Sequence, residues 1–208
     1  MTRYAEISMR RVLALSSLLV IGCAAEPGYD PLEDYEQLDN TGIVDAPRAE
    51  GGRFAPADQD AVDRGRYLVG LLGCGACHTD GAFEGAPNME MPLAGSQTGI
   101  AWTNPLEFEH PGVVYPSNIT PDEETGIGLW TDRQIANAVR AGIGRHGTRR
   151  LSTMPWQGYA QLNDDDVDAV VAFLRSIPPI RNDVPAEVAP GQKAMKPFVY
   201  FGVYRSRD

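Results

Sequence analysis

The sequence predicts a helical domain with long irregular loops, and three features of its 208 residues point there. Apolar residues recur near helical spacing over 60–72, 131–141 and 164–177, and helix start or stop signals bound these runs. Residues 79–130, between the first two runs, are rich in Gly and Pro and read as irregular. A loop that long needs something other than regular elements to fill the centre of a compact domain. The first run ends on Cys74-Gly75-Ala76-Cys77-His78.

Two cysteines separated by two residues and followed directly by histidine read as a covalent attachment site for haem c. Two thiols on one tight turn reach the vinyl groups on one side of a porphyrin. The adjacent imidazole then ligates iron from the proximal face. Gly75 and Ala76 keep bulk away from the macrocycle. A zinc half-site would need further Cys or His ligands, and only Cys23, His110 and His146 are left to supply them. A thioredoxin-like redox pair would need a βαβ context, and none is visible.

Taken in order, residues 1–22 read as an export signal. Arg3, Arg10 and Arg11 precede an apolar run from Val12 to Ile21, too short to span a bilayer. Val20-Ile21-Gly22-Cys23 resembles the lipobox of bacterial lipoproteins, which implies acylation of Cys23 as the mature N-terminus. The three cysteines then divide into one for lipid and two for haem. Loss of residues 1–22 removes three arginines and Glu6, a net of +2, and takes the formal charge from −10 to −12. That balance argues against nucleic acid and favours a partner with a basic or neutral face. Residues 23–57 read as an acidic flexible linker, with six acids and no base between Glu26 and Asn40.

The domain is expected over 58–182, with 183–208 as a C-terminal extension packing on it. Asp60 to Leu72 reads as the first helix, stopped by Gly73, with Gly65 permitting close approach of a second helix. Pro92-Leu93-Ala94-Gly95 is a candidate to pass beside His78 and offer a carbonyl to its second N–H. Thr131 and Gln134 form a capping-box pattern for a helix ending at Gly142. Asn163 or Asp164 opens the last helix, whose Val167, Val170, Val171, Leu174 and Ile177 share one face. Pro178-Pro179 ends it, and its expected packing partner is the first helix, across Gly65.

The sixth position on the iron separates an electron carrier from a catalyst. Met154-Pro155 lies between the two later helices, placed to fold over the distal face, and thioether ligation opposite histidine suits electron transfer. Met89, Met91, His110 and His146 are the rivals. Trp156 and Tyr159 are candidates to line the pocket, the tyrosine by hydrogen bonding to a propionate; ordinary aromatic core is the alternative. Arg145, Arg149 and Arg150 form a basic run in an otherwise acidic chain.

The segments Arg64-Gly65-Arg66-Tyr67, Cys74–His78, Asn118-Ile119-Thr120-Pro121-Asp122, Thr125-Gly126-Ile127-Gly128, Met154-Pro155-Trp156 and Phe173 to Pro179 resemble a class I cytochrome c domain. They are particularly similar to the cytochrome domains that accompany membrane-bound bacterial alcohol and gluconate dehydrogenases. The resemblance implies an all-α cytochrome c fold of three to five helices around one haem c. It implies His78 and Met154 as iron ligands, Cys74 and Cys77 as thioether cysteines, and Asn118 and its neighbours along the haem edge. Those dehydrogenase subunits commonly carry several haem domains, whereas this chain has one motif and no internal repeat.

The expected role is a monohaem one-electron carrier, not an enzyme and without a small-molecule substrate. It would face the periplasm in a bacterial cell envelope, held at the inner or outer membrane by lipid on Cys23. Its redox partners would be a dehydrogenase, an oxidase or a cytochrome complex. One alternative is an electron-accepting subunit of a larger membrane-bound dehydrogenase or oxidase, docking through the aromatic cluster Phe198 to Tyr204. The other is a haem enzyme or ligand sensor with an open distal site.

Overall fold

The computed structural model describes residues 58–147 and 153–202. The export signal, Cys23, the acidic linker, Arg149, Arg150, Val203 and Tyr204 lie outside the described residues. Five helices are formed among those described: α1 Gln59–Leu71, α2 Cys74–His78, α3 Asp132–Ala141, α4 Trp156–Tyr159 and α5 Asp164–Ser176. No described helix is long and apolar enough to cross a membrane.

The stop at Gly73, the capping box and the start of α5 act as the sequence predicts, and the Asp58 cap is seen in the structure alone. Asp58 caps α1 by accepting from the Asp60 N–H, and Gly73 leaves the helix with φ of 69°. Thr131 and Gln134 make both bonds of the capping box on α3, and Gly142 ends it with φ of 62°. Asn163 caps α5 by accepting from the Asp166 N–H. α1 and α5 pack together, and Val62, Leu68, Val69, Val170, Phe173 and Leu174 form the centre of the core. Arg64 reaches across this pair to Asp166 at 2.8 Å.

Irregular structure dominates 79–130, as expected, but the region also contributes strands to a small sheet. β1 Gly99–Ala101 pairs antiparallel with β2 Val113–Val114, and β3 Phe198–Tyr200 adds parallel to β1. The order β2-β1-β3 therefore brings the C-terminal segment back onto the loop region. Strands of two or three residues carry no measurable period, so the sequence offered no sign of them. Around the sheet, Ala101, Val113 and Tyr115 form a second core with Val184, Val188 and Phe198 packed against it. Phe201 tilts against Phe83 with centroids 5.5 Å apart. In this way Phe198, Tyr200 and Phe201 meet partners within the chain.

Candidate haem site

The short helix α2 presents the motif cysteines and His78 at a cleft. Two neighbouring cavities, with empty volumes of about 690 and 660 Å³, share Cys74, His78, Ser117, Met154 and Tyr159 in their walls. Cys77 lines the second, with Ile100, Val114 and Pro155. The first is walled by Leu72, Ile119, Ile127, Trp130, Ile135, Val139, Val170 and Leu174. The cleft is thus lined almost wholly by apolar surface, with few polar groups.

The histidine is oriented from behind. His78 Nδ1 lies 2.6 Å from Ser117 O. A carbonyl can only accept, so Nδ1 carries the proton and Nε2 keeps its lone pair for a metal. The acceptor is therefore on Ser117, which corrects the expectation for Pro92 to Gly95. That segment meets His78 through the main chain instead, with the Gly95 N–H donating to His78 O at 2.8 Å. Pro92 lines neither cavity. A backbone acceptor carries no side-chain signature, so the sequence, which placed the neighbours of Asn118 at the haem edge, did not mark Ser117 as the acceptor.

Asn118 also differs from expectation, being 2 % exposed and absent from both cavity walls. Its amide donates to Ile180 O at 2.7 Å and Thr125 Oγ1 at 3.0 Å, and its Oδ1 accepts from the Thr120 N–H and hydroxyl. With these bonds it staples the loop that places its neighbours Ser117 and Ile119 in the cleft.

Met154 lines both cavities, whereas Met89, Met91, His110 and His146 line neither. Met89 is half exposed. Trp156 does not join the wall. After Pro155 the chain turns into α4, and the indole lies against Gly142, where an added Cβ would come 2.6 Å from Trp156 Cδ1. Tyr159, three residues on, faces the cleft. Its hydroxyl donates to Leu72 O at 2.9 Å.

The electrostatics are those of a dry pocket. Burial pushes the Cys74 thiol up to about 12 and raises Cys77 as well. Burial, with the two thiols as lesser causes, pushes the Tyr159 phenol up to about 12, which leaves it a neutral donor at ordinary pH. Among the described residues no three His, Cys, Asp or Glu side chains converge as a metal cluster, so the zinc reading of the cysteine pair lacks ligands. The donor set fits haem c instead. Two thiols and an imidazole lie on one short helix, a thioether shares their cleft, and aliphatic walls surround the space.

The protein-family model described as cytochrome c matches residues 62–178. The chain is 39 % identical over 119 residues to the alcohol dehydrogenase (quinone) cytochrome c subunit of Gluconobacter oxydans, covering 57 % of this chain and 22 % of that subunit. It is 34 % identical over 149 residues to the fructose dehydrogenase cytochrome subunit of Gluconobacter japonicus, covering 70 % and 26 %. It is 34 % identical over 125 residues to the gluconate 2-dehydrogenase cytochrome c subunit of Pantoea cypripedii, covering 60 % and 25 %. The matches thus span about a quarter of the length of each of these relatives.

Proposed function

This chain belongs to the cytochrome c family, and on that premise we propose that it is a monohaem one-electron carrier of a bacterial cell envelope. Family membership implies haem c, and the single Cys-x-x-Cys-His motif supports one haem. When bound, the haem supplies a ferric/ferrous couple that takes and gives one electron at a time. Cys74 and Cys77 hold it through thioethers. His78 ligates through Nε2, with Nδ1–H held on Ser117 O. Met154 is the sixth ligand. Leu72, Ile127, Trp130, Ile135 and Leu174 exclude water, and exclusion of water together with thioether ligation favours the reduced state.

The observation that carries this reading is the convergence of His78 and Met154 on the same two cavities. His78 and Met154 together would hold the iron of a bound haem and leave no position for a substrate, which supports a carrier over an enzyme. Acylation of Cys23 would tether the domain to a membrane through residues 24–57, facing the periplasm.

A second reading has support from the relatives, whose names are those of dehydrogenase cytochrome subunits. In it, this chain accepts electrons from a dehydrogenase partner. Co-purification with a flavin or quinone-cofactor enzyme distinguishes it from a free carrier.

The test is the optical spectrum of the oxidised protein. The expected result is the weak near-infrared-edge band of methionine sulfur on ferric haem, lost in Met154→Ala. A wild type without that band, whose ferrous form binds carbon monoxide readily, would overturn the carrier reading in favour of an open distal site.

A further inference from the structure

The methionine-bearing segment has little of its own to hold it. Met154 and Pro155 lead into α4, a single turn with no buried residue. One turn is too short to be stable alone. The Trp156 N–H donates to Met154 O at 2.8 Å and the Gly158 N–H to Pro155 O at 3.0 Å, so residues 154–159 are coupled to one another. Their position against the rest of the domain must come from side chains. On one side Trp156 packs on Gly142. On the cleft side stands Tyr159.

The Tyr159 hydroxyl donates to Leu72 O at 2.9 Å, across 87 positions of sequence. Leu72 is the C-cap of α1, and the last carbonyls of a helix have no partner inside it. The phenol satisfies one of these, two residues before Cys74. Thus one hydrogen bond joins the end of the methionine segment to the start of the cysteine–histidine motif, while its ring lines both cavities.

We propose that Tyr159 is a positioning residue for the sixth ligand: its bond to Leu72 O holds the segment carrying Met154 at a set distance from the helix that carries His78, and so keeps the thioether on the iron. The inference rests on Met154 ligation as read above. Without the hydroxyl, α4 keeps its packing on α3 but loses the tie to α1, and the methionine-off state gains population. Loss of one neutral hydrogen bond corresponds to roughly a threefold to tenfold rise in that state.

The experiment uses the full-length haem-loaded protein, with Tyr159→Phe to keep the ring and remove the hydroxyl. Asp58→Ala serves as control, since it removes the α1 N-cap far from the cleft. The readouts are the methionine–ferric haem band, its loss on warming, and the rate of carbon monoxide binding to the ferrous form. The expected result is a band that is weaker at low temperature in Tyr159→Phe, with carbon monoxide binding roughly threefold to tenfold faster, while Asp58→Ala unfolds earlier on warming but keeps the low-temperature band and the carbon monoxide rate of wild type. If Tyr159→Phe matches wild type in band and rate, or if Asp58→Ala changes them equally, the proposal is overturned and the bond is structural only. A wild type that lacks the band overturns Met154 ligation itself, and the tether with it.

Discussion

Gly65 lies directly against Ala169: a β carbon built on it would overlap the Ala169 carbonyl and come 2.7 Å from Phe173 Cβ. α1 and α5 meet here backbone to backbone, and this contact sets how far Leu72 on α1 and Val170 and Leu174 on α5 stand apart across the cleft.

Gly65→Ala is therefore expected to destabilise the domain. Alanine gains about 1 kcal/mol in helix propensity, but the overlap is with backbone, which cannot swing aside. Overpacking of this kind costs about 1–3 kcal/mol, and separation of the two helices adds to it. Thermal unfolding and haem content per chain are the measurements; an unchanged midpoint with full haem loading would contradict the close approach.

Arg175 ties the opposite wall. It is largely buried and bridges Asp132 at 2.9 Å, while donating to the carbonyls of Ile127, Gly128 and Trp130. Ile127 and Trp130 line the cleft. Lysine carries the charge without the planar fork and cannot serve these acceptors together. Arg175→Lys should cost about 1–3 kcal/mol, because carbonyls lose their donor, and should lower the reduction potential as water enters beside Trp130. Denaturant unfolding and redox titration of the same preparation check the two effects.

The cysteines should be separable. Cys77→Ser leaves one thioether through Cys74, so haem should remain covalent with an altered pyridine haemochrome spectrum. The double change Cys74→Ser with Cys77→Ser should release haem on denaturation. Retention of covalent haem in the double variant would exclude the motif as the attachment site.

Acid sensitivity has an identifiable contributor. The Thr125 N–H, the Thr125 hydroxyl and the Glu124 N–H hold the Asp122 carboxyl below its ordinary 3.8, with Arg181 a lesser cause. A carboxyl lowered in the folded state contributes stability that is full above its unfolded value and fades as pH falls through the lowered one. Asp122→Asn should therefore be less stable than wild type near neutrality, with the gap closing below the ordinary value. Paired unfolding curves from neutral pH downward test this; a gap that stays constant with pH would rule the contribution out.

Much of this was legible in the residues. The capping box at Thr131, the start of α5 at Asn163, stops at Gly73 and Gly142, and the apolar stripe of α5 are local, and local energetics can be read in one dimension. The place of Met154 at the cleft was also expected, from its position in the segment between the two later helices. The misses have a shared cause. Ser117 acts through its carbonyl, and Asn118 and Trp156 are polar or aromatic residues that the fold uses as internal staples. Which way such a side chain turns depends on groups distant in sequence, as Asn118 shows with Ile180.

The sequence by itself determined α1, α3 and α5, the Cys-x-x-Cys-His motif and the family, since each rests on local spacing and signals, while α2 and α4 emerged only in the structure. Only the tertiary structure decided that Ser117 orients His78, that β3 returns to pair with β1, and that Tyr159 ties the methionine segment to α1. Each of these joins groups tens of residues apart, and such pairs are chosen by the packing of the whole chain instead of by any local preference.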